Sequence, residues 1–198
     1  MILDIRFCIF LKIQIIMILP IYTYGSPVLR EQAKEVDIKM EGLNQLLTDM
    51  YETMKHAEGV GIAAPQVGKS LRILIVDGSD LSEDFPELKS FIRYMINPVV
   101  LQESAETADY SEGCLSVPDV RADVTRPAKI KVRYVNEKLQ EVEEEFDGFA
   151  CRMVQHEIDH LNGKMFVDRV SPLRKKLMGG KLRRIEKGEV RTRYRTEK

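Results

Sequence analysis

The chain is poor in cysteine, and what it has is unpaired: Cys8, Cys114 and Cys151 make an odd number without the spacing of a disulfide framework. That excludes a disulfide-stapled secreted scaffold and points to a reducing compartment, here expected to be the cytoplasm. An excess of either charge is also missing. The 30 basic residues face 31 acidic ones, and a formal net charge of −1 provides no global attraction to nucleic acid or to a membrane surface. No stretch is both long enough and free enough of charge to cross a bilayer. The apolar residues 1–16 come nearest, but Asp4, Arg6, Lys12 and Gln14 interrupt them. They contain no small-residue cleavage site and lack the Arg- and Ser-rich composition of a transit peptide. Residues 1–16 are therefore expected to be an N-terminal extension, or the product of an upstream start, rather than a targeting signal. Internal repeats are absent. What remains is an ordinary globular sequence of 198 residues, 44% hydrophobic and 31% charged, long enough for one well-buried core and short for two.

Histidine is scarce too, yet two of the three stand in one pentapeptide, His156-Glu157-Ile158-Asp159-His160. On a helix, positions four apart share a face, so His156 and His160 can grip one metal ion together. Glu157 lies roughly 100° around the helix from His156, near the ion but off the ligand axis. A carboxylate there can take a proton from water that the metal activates, which is the logic of H-E-x-x-H hydrolases. His56 has no such partner and reads as a structural or surface histidine.

Catalytic zinc-type sites usually hold the ion with three protein ligands and leave a position open for water. No histidine follows His160, but the acids Asp168, Glu186 and Glu189 do, and one of them would make a thermolysin-like site. Upstream, Ser111-Glu112-Gly113-Cys114-Leu115-Ser116 offers a thiol whose deprotonation a metal itself favours. Cys151 would lie roughly 140° from the ligand face of the same helix and reads as a small buried residue. Cys8 belongs to the extension. Cys114 is the better third ligand.

The segment Gly59-Val60-Gly61-Ile62-Ala63-Ala64-Pro65-Gln66-Val67-Gly68 imitates a dinucleotide fingerprint, with Asp77 in the place of a ribose ligand. Context excludes that reading. The fingerprint follows a strand and opens a helix, whereas here a helical pattern precedes it, and Pro65 and Gly68 break any helix starting at Gly61. A loop of small side chains that a substrate backbone can approach closely fits better. Gln66 on that loop is a neutral group able to polarise a carbonyl oxygen.

Together the segments GVGIAAPQ, EGCLS and HEIDH resemble, in order and separation, the three motifs of the peptide deformylases, and the likeness runs from residue 17 to about 170. None of the three departs from the family pattern. The resemblance implies removal of the formyl group from N-formylmethionine at the start of newly made polypeptides, releasing formate. Carried onto this sequence, it implies Cys114, His156 and His160 as metal ligands and Glu157 as general acid/base. Gln66 and the backbone N–H of Leu115 would stabilise the oxyanion. It further implies that Gly61 contacts the substrate main chain and that Val60, Tyr110, Arg152 and Met153 line the methionine pocket. Arg121 would lie near the bound peptide, and Glu112 with Arg126 would brace the cysteine loop. Ferrous iron is the metal the family implies, while zinc, nickel or cobalt suit the same ligands. The family fold wraps antiparallel sheets around the metal-binding helix.

The residue pattern agrees with such an arrangement. Met40, Leu43, Leu46, Leu47, Met50 and Met54 recur at three- and four-residue steps, as in an amphipathic helix ending near Gly59. Strands are expected over 72–77, 94–101, 120–125 and 129–135, with a turn-rich loop over 80–89. Residues 139–146 should pair back as a hairpin, with the acids Glu141, Glu143, Glu144 and Glu145 on a solvated edge. The histidine helix should run over about 148–161 and stop near Asn162-Gly163. Strands clustered between two helices argue for a single α+β domain, residues 17–172. A basic tail follows, 173–198, expected to be solvated, with Gly179-Gly180 interrupting any long helix. The family suggests that this tail helps docking on the ribosome. Two other functions compete. A thermolysin-like zinc endopeptidase needs a downstream ligand in place of Cys114. A structural zinc-binding module needs a fourth protein ligand, for which Cys151 points the wrong way.

Overall fold

A computed structural model describes residues 15–198, so almost all of the expected extension 1–16 lies outside the described residues. In chain order the elements are β1 (Ile21–Tyr22), α1 (Leu43–His56), β2 (Gly61–Ala63), β3 (Ile73–Asp77), β4 (Ile92–Glu103), β5 (Thr107–Cys114), β6 (Val117–Pro127), β7 (Lys129–Val135), β8 (Glu141–Asp147), α2 (Gly148–Leu161), α3 (Pro172–Lys187) and β9 (Thr196–Glu197).

Strand alternation sets the layers. β2, β3, β4, β7 and β8 form a five-stranded antiparallel sheet in that order. Every residue of β3 is buried, so the strand must face apolar partners on both sides. Leu74 and Val76 join a core with Val154, Ile158 and Leu161 of α2. Ile73 and Ile75, on the other face, join a core with Leu43, Leu47, Met50 and Met54 of α1. The sheet is thus held between two helices whose apolar residues recur at helical spacing. β5 and β6 form a separate hairpin, and a third core packs Val117, Val120 and Val124 of β6 against Phe166 and against Leu182 and Ile185 of α3. The result is one α+β domain built around α2.

The bounds of α2 and β7 agree with the sequence pattern. Gly163 closes α2 with a φ of +67°, and a Cβ there would collide with the Arg30 carbonyl, so glycine alone fits. β8 is an edge strand, but one of its acids is not simply solvated: Glu144 binds Arg93 and accepts the Tyr134 hydroxyl at 2.7 Å. Three expectations are corrected. The small-residue segment is not wholly a loop, because Gly61–Ala63 pairs with β3 as β2. Pairing is not wholly antiparallel, because β1 and β9 run parallel, with Ile21 opposite Thr196. The basic tail is neither free nor broken at Gly179-Gly180. Ser171 caps α3, Pro172 opens it, and the burial of Leu182 and Ile185 outweighs the cost of about 1 kcal/mol for each internal glycine.

Candidate metal centre

Three elements meet around α2. Its third and fourth turns present His156, Glu157 and His160; the end of β5 presents Cys114; and the turn after β2 presents Gln66. Ligand atoms of Cys114, His156 and His160 all lie within 4.8 Å of one another, and the Cys114 Sγ is 3.2 Å from His160 Nε2. Among the described residues no other group of three or more His, Cys, Asp or Glu side chains converges in this way. A thiolate and two imidazoles are the donor chemistry of zinc or ferrous iron, and three protein ligands leave a further position open.

Glu112 explains how His156 is aimed. Burial alone would raise this carboxyl, but hydrogen bonds from Arg126 and His156 hold it well below the usual carboxylate range. An ionised carboxylate only accepts, so His156 carries its proton on Nδ1, 2.8 Å from Glu112 Oε2, and keeps Nε2 for a ligand. Arg126 binds both oxygens of Glu112 at 2.7 and 2.9 Å and reaches Asp159 at 2.6 Å. Arg169 holds the other side of Asp159. His160 has no such brace: its Nδ1 is buried without a hydrogen-bond partner among the described residues.

Burial pushes the Cys114 thiol up, yet the two histidines beside it prevail and bring it down to about 5. Burial opposes a proton on His156, but its bonds to Cys114 and Glu112 raise it well above an ordinary imidazole. The site therefore favours a thiolate beside a positive charge, and a divalent cation held by these residues would supply that charge in place of the proton. Glu157 is buried, which lifts its carboxyl to about 7 even though the histidines pull it down. Its Oε2 is buried without a partner among the described residues, an acceptor held inside the site. The residues fit a metal-dependent hydrolase on both counts.

Gly61 is required by Glu157, since a Cβ at Gly61 would overlap its carboxylate. Gln66 is buried, and its Oε1 accepts the Ala63 N–H at 2.7 Å. That bond turns the amide NH2 towards Cys114 Sγ at 3.5 Å and Ser116 Oγ at 3.3 Å. Leu115 follows directly on the cysteine. Met153 is buried in the same apolar cluster against which Val60 packs. Tyr110 meets Phe149 edge-on at 5.5 Å, and Phe149 stacks on Phe85 at 4.5 Å. Arg121 is exposed opposite Gly113 on the hairpin rim.

Arg152, expected to line the methionine pocket, has its head group engaged within the protein. It is buried, its guanidinium bonds Glu112 and the carbonyls of Val124 and Ala108, and it lies 5.0 Å over the Tyr110 ring. It braces the wall from behind. The sequence pattern missed Ser116, Phe85, Phe149 and Asp159; the last sits inside the HEIDH motif but faces Arg126 rather than the ligands. Cys151 is buried with its thiol towards the Pro127 carbonyl, so among the described residues no second sulfur joins Cys114 in the cluster. Asp168, the nearest downstream acid, is engaged by Arg30, Lys175 and the Met165 N–H. No helix among the described residues is long and apolar enough to cross a membrane.

Comparison with known proteins agrees with this geometry. The family model described as polypeptide deformylase matches residues 18–176. A peptide deformylase of Cytophaga hutchinsonii is 44% identical over 181 residues, covering 90% of this chain and 96% of the relative. One of Flavobacterium johnsoniae is 42% identical over 186 residues, covering 90% and 95%. Among solved structures, a peptide deformylase of Legionella pneumophila superposes with a TM-score of 0.77 at 35% identity, covering 89% of this chain and 99% of that one. A peptide deformylase of Synechococcus elongatus in complex with actinonin gives 0.73 at 36% identity, covering 82% and 85%.

Proposed function

The chain belongs to the peptide deformylase family, metal-dependent hydrolases that remove formyl groups, and on that premise we propose how its own residues divide the work. Cys114, His156 and His160 hold the ion, and the single observation that carries this is their convergence within 4.8 Å. The ion we assign is ferrous iron, with zinc, nickel or cobalt accepted by the same donors. Bound there, it supplies Lewis acidity, polarising the formyl oxygen and lowering the pKa of water towards neutrality.

The remaining steps belong to side chains. Glu157 takes a proton from the attacking water, a role suited to a carboxyl near pH 7, and returns it to the departing amine of methionine, which cannot leave as an anion. Gln66 Nε2 and the Leu115 N–H face the negative charge that develops on the formyl oxygen. Gly61 admits the substrate backbone. Val60, Met153 and Tyr110 enclose the methionine side chain, Arg152 contributes its buried stem to that wall, and Arg121 meets the peptide at the rim.

The substrate is the N-formylmethionyl end of a nascent polypeptide in the cytoplasm. Residues 17–172 carry the proposed ligands and the acid/base, and the exposed basic residues of α3, among them Arg174, Lys176, Arg183 and Lys187, dock the protein on ribosomal phosphate. Because α3 is packed into the fold, charge reversal at Lys176 and Arg183 is the test, not truncation. Reversal should reduce ribosome co-sedimentation while sparing a short formylated peptide; undiminished co-sedimentation refutes the docking role. For the ligand set, Cys114→Ala should lose bound metal and formate release together. Full metal content in that variant would exclude Cys114 as a ligand.

A further inference from the structure

The last residues of the chain reach the cysteine loop. Tyr194 is half-buried, and its hydroxyl donates to the Leu115 carbonyl at 2.7 Å. That carbonyl belongs to the same peptide unit as the Ser116 N–H, which points at Cys114 Sγ at 3.4 Å. One rigid, planar amide therefore links the tyrosine at its oxygen end to the thiolate at its nitrogen end. The tyrosine itself is held. Thr192 Oγ1 bonds the Tyr194 carbonyl at 2.6 Å, Ile21 donates to the Arg195 carbonyl at 2.9 Å, and Thr23 donates to the Glu197 carbonyl at 3.0 Å. The next residue of that N-terminal segment, Tyr24, donates to the Ser116 carbonyl at 2.8 Å. Neighbouring carbonyls of the loop are thus fixed from two directions, one by the tail and one by the segment the tail pairs with.

We propose that Tyr194 is a positioning residue for the reaction: through the Leu115–Ser116 amide it aims an N–H at the Cys114 sulfur and sets the orientation of the oxyanion-facing loop. This rests on the assignment of Cys114 as a ligand. An N–H···S bond withdraws charge from a thiolate, and partners of this kind tune the ligands they touch. Without the hydroxyl, the amide is free to rotate, the sulfur becomes more electron-rich, and Leu115 is no longer held at the angle the oxyanion needs.

The test is Tyr194→Phe, which removes one oxygen and keeps the ring, in full-length protein loaded with Co²⁺ as a spectroscopic probe. The thiolate-to-cobalt charge-transfer band should move to longer wavelength. With a formyl-Met peptide, kcat should fall roughly 10-fold, the low end of the loss for a group that bonds a metal ligand directly because Tyr194 acts through one amide, while KM, metal content and melting temperature hold. Arg191→Gln, on the exposed part of the same tail, should change neither band nor kcat. A wild-type band that Tyr194→Phe leaves in place, with kcat intact, overturns the inference alone. If the wild-type protein itself has no such band, the ligand assignment fails and the inference falls with it.

Discussion

Helices α1 and α2 have the same length, 14 residues, and bury themselves by opposite means. α1 is a conventional amphipathic helix: Leu43, Leu47, Met50 and Met54 face the sheet, and Asn44, Gln45 and His56 lie on the outside or its margin. α2 is buried continuously from Cys151 to Leu161, charged residues included. Placing Arg152, Glu157 and Asp159 out of water is costly unless each finds a partner. Arg152 and Asp159 have them in Glu112, Arg126 and Arg169. Glu157 Oε2 has none among the described residues, and with His156 and His160 it belongs to the face of α2 assigned above to the reaction. The contrast separates two uses of a helix: α1 is buried mainly through apolar packing, and α2 carries into the interior the polar groups to which the reaction was assigned above.

Four substitutions can break or sharpen that contrast. The largest effect is expected at Glu157→Ala, which should keep a full equivalent of metal while formate release falls roughly 10²–10⁴-fold. Formate release near the wild-type rate would remove the acid/base role from α2. Arg126→Met comes next. It leaves the buried carboxylates of Glu112 and Asp159 without a shared cation, and should lower stability by about 3–5 kcal/mol in urea unfolding. A loss below about 1 kcal/mol would mean that this network does not hold α2 in place.

On α1, Met50→Ala should cost about 2–3 kcal/mol, the low end for emptying a core position because neighbouring methionines adapt, with kcat of the folded protein unchanged. A fall in kcat would show that α1 reaches the site through β2. The smallest effect is expected at a polar anchor of α1, where Tyr51 donates to Asp77 at 2.9 Å and Lys55 lies 3.5 Å from it. Burial alone would raise Asp77, but bonds from Ser79 and Tyr51 and the charge of Lys55 leave it below its ordinary range. Its contribution is therefore complete above pH about 4 and is lost as pH falls through the depressed folded value. Tyr51→Phe should cost about 1–2 kcal/mol at neutral pH, and the gap in melting temperature should narrow below pH about 4. A gap that stays constant into acid would exclude the ionised carboxylate as the acceptor.

Local pattern made some of this molecule legible and topology hid the rest. Leu43, Leu47, Met50 and Met54 announce α1, the alternation of Ile130, Val132 and Tyr134 announces β7, and the spacing of His156 and His160 announces the ligand face. β5 gives no such signal: Thr107 to Cys114 is polar, and its structure comes from eight residues registered against β6. Nor could composition tell a bracing Arg152 from a pocket-lining one, because that depends on Glu112, 40 residues earlier. The tail failed for the same reason. Eleven basic residues after 173 look like a solvated end, and only Leu182 and Ile185, buried against a distant hairpin, say otherwise.

The pairing of β1 with β9 sets Ile21 opposite Thr196, 175 positions apart, so it closes nearly the longest loop the described chain can make. Closing a loop of that size is entropically expensive before the intervening residues have collapsed, which puts this contact late in folding. During synthesis the order is imposed more strictly still: Cys114, Gln66 and both histidines leave the ribosome well before residue 194 does. A newly made copy therefore gathers Cys114, His156 and His160 first and seats Tyr194, with the positioning role proposed above, afterwards. Maturation of the enzyme is in this sense a two-stage event, and amide exchange at Ile21 and Thr23 is the clock that reads the second stage.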